Sequence, residues 1–182
     1  MTNPIVPERL GMDQVVYDFL AKNSIAYERC DHAPVYTCAE ADLKVPPMPG
    51  TRTKNLFLRD RKGKRHFLLV VRPEQTVDLS ALSELLGVTK LGMASPERLQ
   101  THLGVEPGSV SFLALLHDQK PAVEVIIEES GWSSTHILCH PMVNTSTLVL
   151  SKQSALQILA STGHQYHVVI VPERLPQDSS NS

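Results

Sequence analysis

The sequence has no apolar run near the roughly 20 residues a membrane-spanning helix requires. Its opening stretch, MTNPIVPERL, lacks the charged-then-apolar pattern of a secretion signal. The cytosol is therefore the expected compartment, and no membrane partner is expected. Cysteine is scarce: Cys30, Cys38 and Cys139 are odd in number and show no CxxC spacing, which excludes a disulfide framework and leaves three reduced thiols, read as small buried residues. Net charge is scarce as well. At −2 it argues against non-specific coating of nucleic acid. GxSxG, GxxxxGK[ST] and GxGxxG are all missing, so ordinary esterase chemistry, P-loop phosphate chemistry and hydride transfer lose their signatures.

Histidine is not scarce, with eight in the chain, but HExxH is absent. His136 and His140 stand four apart in a segment read as a strand, a separation of about 13 Å that no single ion bridges without a sharp bend. His164 and His167, three apart, form the other pair. Neither metal nor cofactor is expected.

What remains is a chain of 182 residues, 42% hydrophobic and 20% charged, the composition of one ordinary folded domain. Residues 1–172 are expected to form that domain and 173–182 a disordered tail. The charge is unevenly spread. Residues 51–66, TRTKNLFLRDRKGKRH, carry Arg52, Lys54, Arg59, Arg61, Lys62, Lys64 and Arg65 against Asp60 alone, leaving +6 there and −8 on the rest.

Hydrophobic spacing over 9–22 predicts an amphipathic helix that exits at Asn23 and Ser24, with a strand over 25–29. TCAE holds the Thr37/Glu40 spacing of a capping box, and VPPMPG ends the short helix it starts. NLFLRD and HFLLVV read as two strands joined by the charged RKGK turn. Asp78 caps LSALSELLG, and Ser95-Pro96 opens a second helix that ends at Gly104, with KLGMA a short strand between them. SFLALLH, AVEVIIEE, HILCH and STLVL read as strands; Ser151 caps a helix closed by Gly163, and YHVVIV is a last strand. The pattern predicts an α+β fold, a central, mostly antiparallel mixed sheet surrounded by helices.

Three segments offer chemistry. Lys54 opens the strand NLFLRD, where partial desolvation strengthens its charge and hydrogen bonds; a plain surface lysine is the alternative. GVEPGSVS, residues 104–111, is a glycine-proline loop whose backbone N–H groups can approach a carbonyl or oxyanion; a helix cap and turn is the alternative. HPMVN, residues 140–144, places His140 and Asn144 at a proline-broken strand junction, to meet a polar ligand or to cap a turn.

TKNLFLRD, GVEPGSV and HPMVNTSTL, in that order, resemble the YbaK/prolyl-tRNA-synthetase-associated editing family, most of all its stand-alone branch that hydrolyses mischarged alanyl-tRNA(Pro). RHFLLVV, VDLSALSELLG and ASPERL extend the likeness over about residues 10–171. The resemblance implies a metal-independent hydrolase that cleaves the ester between a wrong amino acid and the terminal adenosine of tRNA. It makes Lys54 the functionally required lysine. It places the glycine loop at Gly108, Ser109, Val110 and Ser111, with Phe112 standing where the family usually has proline. Phe112 and His140 become candidate walls of the amino-acid cavity, and Asn144 a substrate-binding residue. Arg59, Arg61, Lys62, Lys64 and Arg65 become candidates for tRNA contact, unless they are only a solvated hairpin end. Aminoacyl-tRNA is the expected partner; an elongation factor or synthetase is a further one for which no motif is visible. A deacylase for seryl- or cysteinyl-tRNA, or a tRNA-binding module without hydrolysis, are the competing readings.

Overall fold

A computed structural model describes residues 11–174. Helices start where side chains can satisfy the backbone N–H groups left open at a first turn. Thr37 Oγ1 accepts from Glu40 N–H at the head of α2 (Cys38–Lys44), and Asp78 accepts from the Ser80 and Ala81 N–H groups at α3 (Leu79–Leu85). Ser95 caps α4 (Pro96–Leu103), and Ser151 caps α6 (Lys152–Thr162). Gly104 and Gly163 end these last two in the left-handed region, at φ 65° and 76°. α1 (Met12–Lys22) closes through Ser24, itself left-handed at φ 52°, with Ile25 N–H on the Leu20 carbonyl. α5 (Glu129–Trp132) is a single turn.

The strands divide between two mixed sheets rather than forming one. The larger has the order β5-β3-β4-β6-β9, from β3 (Lys54–Asp60), β4 (His66–Val71), β5 (Leu91–Met93), β6 (Val123–Glu128) and β9 (Tyr166–Val169). The smaller has the order β1-β8-β7-β2, from β1 (Glu28–Asp31), β2 (Thr51–Arg52), β7 (His136–Cys139) and β8 (Ser146–Ser151). β3 pairs antiparallel with β4, and β4 runs parallel to β6. All of β4 is buried, as expected of an apolar run covered on both faces. The α+β class is as read from the sequence. The first strand lies at 28–31 instead of 25–29, because Ile25 is used to close α1 and pack in the core.

SFLALLH departs from expectation. Residues Phe112–His117 form a 3₁₀-helix, not a strand, with Ser111 Oγ accepting from Leu113 N–H. Phe112, Leu113, Ala114 and Leu115 are all fully buried, so neither a two-residue nor a helical period shows, and the run has no β-branched residue to favour extension.

Alternation along β3 sets the site. Phe57, with Leu68 and Val70 of β4, faces the larger apolar cluster, which takes in Val16, Leu103, Phe112, Cys139, Met142 and Leu150. Leu56 and Leu58, with Leu69 and Val71, face a smaller cluster closed by Leu82 and Val171. Val77 bridges Glu173, and the rest of the expected tail, 175–182, lies outside the described residues. Among the described residues no helix is long and apolar enough to cross a membrane.

Candidate active site

The start of β3 is anchored to the smaller sheet. β2 pairs parallel with β7, and Thr53 Oγ1 donates to the Leu138 carbonyl at 3.2 Å. Two residues beyond Leu138 the chain enters the HPMVN junction, where Met142 takes φ 61°. Ser111 Oγ donates to the His140 carbonyl at 2.6 Å, fastening the glycine loop to this junction. Gly108 is exposed with φ 86°, a value that disfavours any side chain, and its α-carbon faces open space. Ser109 N–H is already bonded to the Glu106 carbonyl at 3.0 Å, so it is not free for a ligand.

The side chains of these segments differ in what they can do. Burial pushes the His140 imidazole below its ordinary value, opposed by the Val110 backbone, and its Nδ1 is buried without a partner among the described residues. Asn144 is exposed, and its carbonyl accepts from Val35 N–H. Phe112 does not line a cavity. It is fully buried in the larger core, because the 3₁₀-helix turns it inward with Leu113 and Leu115. Cys139 is buried too, and burial raises its thiol to about 12, so it is not a thiolate nucleophile at neutral pH.

Lys54 leaves β3 on the face shared with Leu56 and Leu58, away from the Phe57 face that meets Phe112. Its Nζ donates to the carbonyls of Pro73, at 3.1 Å, and Gln75, at 2.8 Å. Two of its three N–H donors are thus held by neutral acceptors and one remains for a ligand oxygen. None of the described ion pairs includes Lys54, so among the described residues no carboxylate is in direct contact with its ammonium. No hydrogen bond joins it to the glycine loop or to the HPMVN junction, which are bonded to each other.

Behind Lys54 stands a pair that sequence reading missed. Gln75 is buried, and its Nε2 donates to Glu128 Oε2 at 3.3 Å and to the Val171 carbonyl at 3.2 Å. Glu128, also buried, accepts from Val171 N–H at 2.6 Å and from Ser130 N–H at 3.2 Å. Glu128 thereby fixes Gln75, whose carbonyl fixes the ammonium. Asn55, next to Lys54, has a buried Oδ1 without a partner among the described residues.

At the other end of β3 the basic residues separate. Arg65 is bound bidentately to Glu124, at 2.7 and 2.8 Å, and lies over the Phe67 ring, so it is no free cation. Lys64 is exposed, its backbone N–H bonded to Asp60. Arg59, Arg61 and Lys62 line a concavity of about 340 Å³ with Gly63, Met93, Ser95 and Arg98. One member of each histidine pair is engaged locally: His136 bonds Thr135, and His164 is buried against Asp118 and Thr162.

A mixed α+β domain that holds a lysine outside the described ion pairs at a strand start, and carries a glycine loop tied to a proline-broken junction, is the class these features define. A model of the aminoacyl-tRNA editing domain matches residues 32–158, and the chain belongs to that family. It is 35% identical to the prolyl-tRNA editing protein ProX of Acetoanaerobium sticklandii over 156 residues, 86% of this chain and 95% of that one. It is 35% identical to the prolyl-tRNA synthetase associated domain-containing protein 1 of Danio rerio over 149 residues, 81% of this chain and 80% of the relative. The crystal structure of a candidate trans-editing enzyme for prolyl tRNA synthetase superposes with a TM-score of 0.68 at 19% identity, over 91% of this chain and 99% of that one, a likeness of fold.

Proposed function

We propose that this protein is a trans-acting aminoacyl-tRNA deacylase whose substrate is alanyl-tRNA(Pro). The observation that carries the reading is the Lys54 ammonium, fixed by two neutral carbonyls with one donor left over. A cation held this way needs no reorganisation when charge develops on an ester, and it keeps its full field in a half-buried setting. Family membership and the ProX relative support the reaction class.

In the reaction a water oxygen attacks the ester carbon and the carbonyl oxygen takes up the electron pair. Collapse then breaks the bond to the ribose oxygen, which leaves with the proton from water. Free amino acid and tRNA result. The neighbouring ribose hydroxyl orients the water, so the protein supplies position and charge rather than a nucleophile, and no metal is needed. Lys54 binds an ester or phosphate oxygen of the terminal nucleotide. Its charge makes it a poor seat for the substrate ammonium. The amides of Gly108 and Val110 polarise the carbonyl, with His140 and Asn144 bordering the amino-acid site. Discrimination is by size: alanine enters and the pyrrolidine of proline does not, the logic of a second sieve.

The burial of Phe112 supports catalysis over the non-catalytic alternative, since the side chain at the family's proline position is withdrawn into the core and does not project from the loop towards a substrate. The test is a panel of alanyl-, seryl-, cysteinyl-, threonyl- and prolyl-tRNAs incubated with the purified protein in EDTA. Preferential loss of alanine from tRNA(Pro), with prolyl-tRNA(Pro) spared, is expected. Preference for the seryl or cysteinyl substrate would replace alanine, and binding without hydrolysis of any member would overturn the enzymatic reading.

A further inference from the structure

We propose that the concavity between the β3–β4 hairpin tip and the start of α4 seats a backbone phosphate of the tRNA acceptor arm, with Arg98 as its fixed donor and Arg59, Arg61 and Lys62 around it. This rests on the aminoacyl-tRNA reading above and names which part of that substrate is held, and where.

The site has a volume of about 340 Å³ and four cationic side chains on its lining, with Gly63, Met93 and Ser95 the other residues. None of the four is in an ion pair among the described residues. Arg65, in the same hairpin, shows the contrast: it lies outside the concavity and is neutralised by Glu124. Two carboxylates stand near and are engaged with backbone. Asp60 accepts from the Lys64 and Arg65 N–H groups, and Glu97 in the first turn of α4 interacts with its own N–H and with Ser95. Ser95 Oγ accepts from Arg98 N–H.

Arg98 is held in place without losing charge. Its Nη1 donates to the Gly63 carbonyl at 3.1 Å and to His66 Nε2 at 2.8 Å, both neutral acceptors. Gly63, at φ 65°, lies against Arg98, and a Cβ there would push the guanidinium aside. His66 stays neutral, since burial first, then His102 and Arg98, pushes its imidazole down to about 4. A planar guanidinium so fixed suits a phosphate better than a mobile lysine does.

Position decides which phosphate. Arg59 is five residues along β3 from Lys54, about 17 Å at the rise of an extended strand. A phosphate bound there is not that of the terminal nucleotide at Lys54 but one further into the acceptor arm. The contact adds affinity without touching the ester, so its loss appears in KM and not in kcat.

The experiment compares Arg98→Lys and the exposed pair Arg61→Ala/Lys62→Ala with wild type in three assays: binding of uncharged tRNA against salt, competition by inorganic phosphate, and deacylation of full-length alanyl-tRNA(Pro) against an alanylated CCA trinucleotide. Expected are a roughly tenfold rise in KM for the full-length substrate with kcat unchanged, no change with the trinucleotide, and a salt slope shallower by about one per cation removed. Wild-type binding of tRNA by both variants would overturn the proposal. So would equal losses on both substrates, or displacement of tRNA by low-millimolar phosphate, which would mark a site for free phosphate. If wild type binds tRNA through these residues yet deacylates nothing, the enzymatic reading falls and the phosphate seat stands.

Discussion

β3 carries cations at both ends and treats them in opposite ways. At its start one lysine is half-buried, immobilised by two carbonyls and backed by the buried Gln75–Glu128 pair. At its tip several cations crowd an open concavity, with Arg98 held by the Gly63 carbonyl and His66 and Arg59 by the Asp60 and Arg61 carbonyls. A single fixed charge acts on reacting atoms, whereas a cluster in water attracts a polyanion and works through affinity. The comparison also shows how pairing sorts a charge run. Of the two arginines that flank the turn most closely, Arg61 is free to meet a ligand and Arg65 is consumed by Glu124.

Disturbing the support of the first end is expected to have the largest effect on stability. Glu128→Ala strands the Val171 and Ser130 N–H groups, each worth about 1–3 kcal/mol, and leaves Gln75 Nε2 the Val171 carbonyl alone, so denaturant unfolding should show a loss above about 2 kcal/mol. The milder Glu128→Gln should fold and lower kcat by up to about tenfold with KM unchanged, because Gln75 is held less firmly and its backbone carbonyl positions the ammonium less well.

The tip has its own signature in pH. Above the ordinary histidine value of about 6.5, His66 is neutral in both the folded and unfolded chain and contributes no pH dependence. As pH falls from there towards 4, the unfolded state takes up a proton that the folded state refuses, and stability is lost across that window. Between pH 7 and pH 5 the loss is about 2 kcal/mol. His66→Gln keeps an acceptor for Arg98 and should remove this slope in urea titrations at the two pH values.

Smaller effects separate the remaining contacts. Ser111→Ala removes the bond that ties the glycine loop to His140, with a cost of about 1 kcal/mol, and faster amide exchange should appear at residues 108–112. A double-mutant cycle on Arg65 and Glu124 should give a coupling below about 1 kcal/mol, with deacylation unchanged, in keeping with a half-exposed pair outside the concavity.

Sequence legibility followed the range of the interactions. Asp78, Ser95 and Ser151 cap helices as read, since a cap and its N–H partners lie within three residues of each other. The β3–β4 hairpin was equally local. The division into two sheets was not, because β1 finds its partner β8 more than a hundred residues away. Phe112 was read as part of a strand and a cavity wall and is core in a 3₁₀-helix, since a run buried on all sides carries no period. At the site, Lys54 was legible through the family resemblance, and its partners were not. Gln75 and Glu128 are 53 positions apart and meet only in the fold, and Arg98 reaches the hairpin from α4.

The central claim is that the Lys54 ammonium stabilises the transition state of ester hydrolysis. Single-turnover deacylation of alanyl-tRNA(Pro) by Lys54→Ala, with folding verified by unchanged thermal unfolding, tests it most directly. Loss of a preorganised donor predicts a rate 10²- to 10³-fold below wild type, about 3–4 kcal/mol in barrier height, with tRNA binding intact. A variant that turns over at the wild-type rate would contradict the account.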